Sequence, residues 1–158
     1  MSRARRLANR IKRTVKGPMW HGPALADVLT GVSVDQALAR PVSNAHSIWE
    51  LVLHVTAWCD IARQRIKGEA TGDPTPEQDW PSPGSDPAFE TDGGAAWQRA
   101  VERLGESHRQ LAGDVRELSD DQLDALVPGL EYSVSVLLSG IVEHGTYHGG
   151  QIALLRKA

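Results

Sequence analysis

Apolar residues return every three or four positions in four long stretches, the spacing of helices that bury one face. The first covers residues 2–16, with Leu7, Ile11 and Val15 in a narrow stripe, and closes at Gly17-Pro18. The second runs over about 45–67 through Ile48, Leu51, Val52, Val55, Trp58, Ala62 and Ile66, with Asn44 as its expected N-cap and Gly68 as its stop. The third spans about 94–118, with Trp97, Val101, Leu104, His108, Leu111 and Val115 on one face. The fourth, about 133–156, carries Val134, Leu137, Ile141, His144, His148, Ile152 and Leu155. Shorter helical pieces lie at 22–32, after Ser33, and after Ser119. Between the second and third long stretches stands "GDPTPEQDWPSPGSDP", which holds five of the chain's nine prolines and reads as a long irregular loop. No segment alternates as a half-buried strand does. The pattern predicts one all-α domain over 1–158, an antiparallel four-helix bundle with short extra helical segments and a long Pro-rich loop.

Two histidines interrupt the apolar face of the fourth stretch. His144 and His148 are one helical turn apart, so their rings share a face and can reach one ion. His54 follows Leu51 by three residues and precedes Trp58 by four, which turns it inward on the second stretch. Three unpartnered imidazoles in an apolar interior are costly, and a divalent cation removes that cost. A hydrogen-bonded core cluster is the other reading, and the pattern favours metal ligation by His54, His144 and His148. Three nitrogens leave an open coordination position and an uncompensated charge, as in catalytic rather than structural zinc sites. Cys59 turns off this face and reads as a small buried hydrophobe.

Three other side chains are candidates for work beside such an ion. Glu50, one turn before His54, reads either as a base or as a solvated ion-pair partner, the latter carrying more weight. Gln151 lies on the ligand side, three residues beyond His148, and Tyr147 stands beside the site as a wall. Glu143 is not between the two histidines, as the H-E-x-x-H arrangement requires, and points away. His46 and His21 fall on the rim or surface, and His108 reads as a satisfied core or interface histidine.

Charge and composition alter this picture little. Seven Lys or Arg and no acid fall in residues 1–16, leaving ten basic against twenty acidic side chains elsewhere. A solvated basic helix face explains that better than nucleic-acid binding, because aromatic interleaving is lacking. The absence of a long apolar run argues against a membrane span or a secretory leader. A single cysteine and no disulfide partner point to the cytoplasm.

The segments "AHSIWELVLHVTAW" (45–58), "LLSGIVEHGTYHGGQIALLRKA" (137–158) and "MWHGPALADVL" (19–29) together resemble the DinB-like, damage-inducible family of four-helix bundles. The resemblance implies a metal site of one histidine from the second helix and two from the last, here His54, His144 and His148. It further implies zinc or nickel as the ion and a homodimer as the assembly. Its related branches include bacillithiol-dependent transferases and a mycothiol-dependent isomerase, which implies a small thiol or an electrophile as substrate. No motif ties this chain to one thiol cofactor, so a thiol transferase-like or hydrolase-like enzyme and a metal-stabilised interaction protein both remain open.

Overall fold

A computed structural model describes residues 1–158, and it is all helical. The eight α-helices are α1 (Arg3–Lys16), α2 (Leu25–Leu29), α3 (Val34–Leu38), α4 (Ile48–Ile66), α5 (Pro76–Asp79), α6 (Gly93–Arg116), α7 (Asp120–Asp124) and α8 (Val134–Leu155). The long helices α1, α4, α6 and α8 form a ring in which α1 and α4 each pack on both α6 and α8. No helix is long and apolar enough to cross a membrane.

Side-chain contacts fix the directions. His54, in the first half of α4, meets His144 midway along α8, whereas Arg65 at the end of α4 meets Tyr132 just before α8. These two helices are therefore antiparallel. By contrast, Trp49 lies 5.3 Å from Trp97, and Arg63 bonds Asp114, so α4 and α6 run the same way. A parallel pair demands a connection that returns along the whole bundle, ~28 Å for a helix of this length. That requirement explains the long segment between α4 and α6, and it carries the segment past the histidines.

Reciprocal caps set most boundaries. Ser33 with Gln36, Ser47 with Glu50, Thr75 with Gln78, and Ser119 with Gln122 each pair a side-chain acceptor with the opposite backbone N–H. The α4 start is a correction to the sequence reading. Ser47 rather than Asn44 is the N-cap, because Glu50 three residues on can return the bond, and Asn44 sits in a turn at φ 61° instead. The Pro-rich loop also differs from expectation: its capped turn, α5, is helical.

Ala4, Ala8, Ile11 and Val15 of α1 are buried while Arg5, Arg6, Arg10, Lys12, Arg13 and Lys16 stay exposed, so the basic residues form the outer face of a packed helix. The interior divides into one cluster around Trp49, Trp97 and Leu104 and another around Ile11, Leu111 and Leu138.

Close approach of α1 to α8 depends on Gly145. A Cβ there would fall 2.6 Å from Cγ2 of Thr14, whose side chain is buried and held by a 3.1 Å bond to the Arg10 carbonyl. Gly145→Ala is expected to destabilise by about 1–3 kcal/mol through overpacking, despite the better helix propensity of alanine. Gly149 meets only the flexible end of Leu25, at 3.4 Å, so Gly149→Ala should be near neutral. Urea unfolding of the two variants checks the contrast, and equal stabilities would remove the close-packing argument.

Candidate metal centre

The α4–α8 pairing places His54, His144 and His148 together, with one nitrogen from each ring within 4.8 Å of the others. The rings are steeply inclined to one another, at centroid distances of 4.7 Å and 62° for His54–His144, 4.9 Å and 89° for His54–His148, and 4.4 Å and 81° for His144–His148. His54 and His148 are buried, and His144 is half-buried.

Two rings are oriented from behind. His54 Nδ1 donates to the Asp79 carbonyl at 2.6 Å, with the Asp79 carboxylate 3.3 Å away. His148 Nδ1 donates to Gln151 Oε1 at 2.6 Å, and Gln151 Nε2 in turn donates to the Tyr147 hydroxyl at 3.3 Å. Each bond leaves Nε2 as the unprotonated, ligating nitrogen. His144 Nε2 then lies 2.9 Å from His54 Nε2. Two such nitrogens attract only with a proton or a cation between them. Burial, followed by the neighbouring His148 and His54, pushes His144 down to about 3, and burial also lowers His54 and His148. All three imidazoles are thus neutral donors at pH 7, which fits a divalent ion.

The segment between α4 and α6 supplies the rest. Trp80 stacks on His54 at 3.7 Å and on His46 at 3.6 Å, a three-ring sandwich that covers one side of the site. Asp79 also accepts from Trp58 Nε1 at 2.7 Å. Sequence reasoning missed both Asp79 and Trp80. Their signal was the capping box at Thr75 and Gln78, which announces a helical turn inside the loop.

The cluster opens into a cavity of about 940 Å³ between α4 and α8, walled mainly by apolar side chains. Tyr147, Gln151 and His46 line it, whereas Glu50 does not. The Glu50 carboxylate is taken up by the Ser47 N–H at 2.8 Å and Arg40 at 2.5 Å, with His46 Nδ1 3.6 Å away, so it serves the cap and an ion pair rather than His54, His144 and His148. Glu143 and His21 are exposed.

His108 belongs to the core. Its Nδ1 donates to the Leu104 carbonyl at 2.8 Å, and Nε2 lies 3.4 Å from the Cys59 sulfur. Cys59 is fully buried, and burial pushes its thiol well above the usual range. Burial likewise lowers His108 to about 4. The unfolded chain binds this proton near 6.5, so the stabilisation is complete above that pH and is lost as pH falls towards 4. The expected loss is about 3 kcal/mol, and His108→Gln should flatten that part of the stability–pH curve. Identical curves for the two proteins in urea titrations would contradict this.

The fold and the cluster define a class: an all-α bundle whose α4 and α8 present three histidines able to hold a metal. More specifically, the chain belongs to the DinB superfamily, whose family model matches residues 20–152. No curated protein and no solved structure matches the chain significantly.

Proposed function

We propose that His54, His144 and His148 hold one divalent ion, zinc or nickel, and that the protein is a metal-dependent enzyme of the thiol transferase-like or hydrolase-like kind. The observation that carries this reading is the position of the three neutral imidazoles on the wall of a cavity large enough for a small molecule. A purely structural ion would sit in a closed site with four protein ligands. Bound to three imidazoles, the ion supplies a Lewis acid with an open position for an anionic oxygen or sulfur ligand.

The chain's own residues then have distinct tasks. Asp79 and Gln151 hold the rings of His54 and His148 in their ligating tautomers. Trp80 excludes water from the outer side of His54. Gln151 and Tyr147, joined to each other at the cavity wall, are placed to orient a bound molecule.

Elemental analysis of untagged protein, followed by assays of metal-loaded and metal-stripped protein on thiols with electrophiles and on hydrolysable esters and amides, tests the proposal. Turnover that appears only with metal supports it. A stoichiometric metal whose removal lowers the melting temperature, with no turnover on any substrate, would instead support a metal-stabilised interaction protein.

We further propose that the functional form is a homodimer. Val136, Tyr147 and Leu154 of α8 are 57%, 64% and 71% exposed, and with Gly140, Glu143 and Gly150 they form one ridge. Glu143 is the only Lys, Arg, Asp or Glu in the helix. A helix so poor in charge on its outer face is suited to burial against another surface.

A further inference from the structure

Arg65 is the only Lys, Arg, Asp or Glu among the buried residues, at 2% exposure, and no carboxylate pairs with it. Its Nη1 donates to the Tyr132 hydroxyl at 2.8 Å and its Nη2 to the Gly72 carbonyl at 2.7 Å, while Nε has no partner. The guanidinium lies 5.4 Å from the centre of the Trp58 ring. A buried cation held only by neutral groups carries a desolvation cost that no opposite charge offsets.

Its two neighbours indicate where it acts. Tyr132 and Trp58 both line the cavity that holds the histidines, and that lining contains no lysine or arginine. Because the Tyr132 oxygen accepts from Arg65, its own hydrogen is free to be donated, and no group of the chain accepts it. Along α4, His54, Trp58 and Arg65 follow one another, so the hydroxyl lies beyond Trp58 from the histidines. Asp79 is the only carboxylate in the lining, which disfavours ligands of high negative charge.

We propose that Tyr132, backed by Arg65, is a ligand-binding donor, and that the cavity takes an amphiphilic monocarboxylate. The carboxylate accepts the hydrogen bond from Tyr132, and an apolar body lies against Leu137 and Ile141. A metal-seeking group at the other end reaches the histidines, a part that rests on the metal-site reading above.

Metal-free protein titrated with hexanoate and with toluene tests Tyr132 by itself. Tyr132→Phe is expected to weaken hexanoate about tenfold, as for loss of one hydrogen bond to a charge, and to leave toluene unchanged. Undetectable hexanoate binding by the wild type, or affinities within about twofold in the variant, would overturn the proposal. Should Tyr132→Phe fold poorly, wild-type protein labelled at tyrosine Cζ replaces it. The chain has two tyrosines, and the resonance that persists in Tyr147→Phe must shift on adding hexanoate; an unmoved signal overturns the proposal.

Cobalt-loaded protein tests the two-ended ligand through the thiolate-to-cobalt absorption band. 6-Mercaptohexanoate should bind about tenfold tighter than hexanethiol, and Tyr132→Phe should abolish that difference. Equal affinities in the wild type overturn the two-ended ligand. No cobalt band with either thiol would refute the metal reading, while the hexanoate result still decides the role of Tyr132.

Discussion

His148→Ala is expected to weaken zinc or nickel binding by about a thousandfold or more, roughly 4 kcal/mol. The ring it removes is one of three whose nitrogens lie within 4.8 Å, and it is the one already oriented by Gln151. Two imidazoles would remain, and no cysteine or unengaged carboxylate stands ready to replace the third: Cys59 is bound to His108, and Asp79 to Trp58 and His54. Gln151→Ala should act more mildly, by about 10–100-fold, because it frees the ring without deleting it. Competition with a chromophoric chelator measures both affinities. Metal binding by His148→Ala within threefold of wild type, ~0.7 kcal/mol, would remove this residue from the site and the three-histidine proposal with it.

Light scattering is expected to give twice the chain mass of 17.2 kDa, and a pair of engineered cysteines should report how the subunits meet. The exposed ridge of α8 reads Val136, Gly140, Glu143, Tyr147, Gly150, Leu154, with steps of four, three, four, three and four residues. That order of steps is the same in both directions. A two-fold axis across the middle of the ridge therefore sets Val136 against Leu154 of the partner subunit, Gly140 against Gly150 of the partner subunit, and Glu143 against Tyr147 of the partner subunit. Self-matching of this kind is what an isologous interface requires. A Cβ on Gly140 or Gly150 would meet nothing within 4 Å, so the subunit's own packing does not explain these helix-weakening residues. The close approach of a second α8 in the proposed dimer would. Because Val136, Gly140, Tyr147 and Leu154 also line the cavity, that second helix would wall the site.

In this register the protein carrying both Gly140→Cys and Gly150→Cys should oxidise to a covalent dimer. Either cysteine alone should not, since like positions lie ~15 Å apart along the axis, beyond disulfide reach. A monomer in solution would end the homodimer proposal. Crosslinking by a single cysteine would overturn the register.

Much of this molecule is legible from local pattern. The three-four spacing identifies four long helices because burial of one face at 3.6 residues per turn is a local rule. The inward direction of His54, His144 and His148 follows from the same arithmetic, and the three rings do meet. Where local signals compete, the reading is weaker. Asn44 and Ser47 are both acceptable N-caps, and only the reciprocal bond from Glu50 favours the second. That same bond is why Glu50, well placed by spacing, is not in the cavity. Asp79 and Trp80 lie 25 and 26 positions from His54, beyond any periodicity that could connect them.

What the sequence alone determined, then, is which residues form helices and which face each presents, including the three imidazoles. Helical periodicity is a property of neighbouring residues and needs no knowledge of the fold. Tertiary structure alone decided that α4 and α6 run parallel, and this follows from how the whole bundle buries its faces. The connection must therefore return past the histidines, and it lays Asp79 and Trp80 on His54 as it does so. The same packing sets Arg65 behind Tyr132 and opens the cavity between α4 and α8. Contacts between residues so far apart in the chain exist only once the helices have packed.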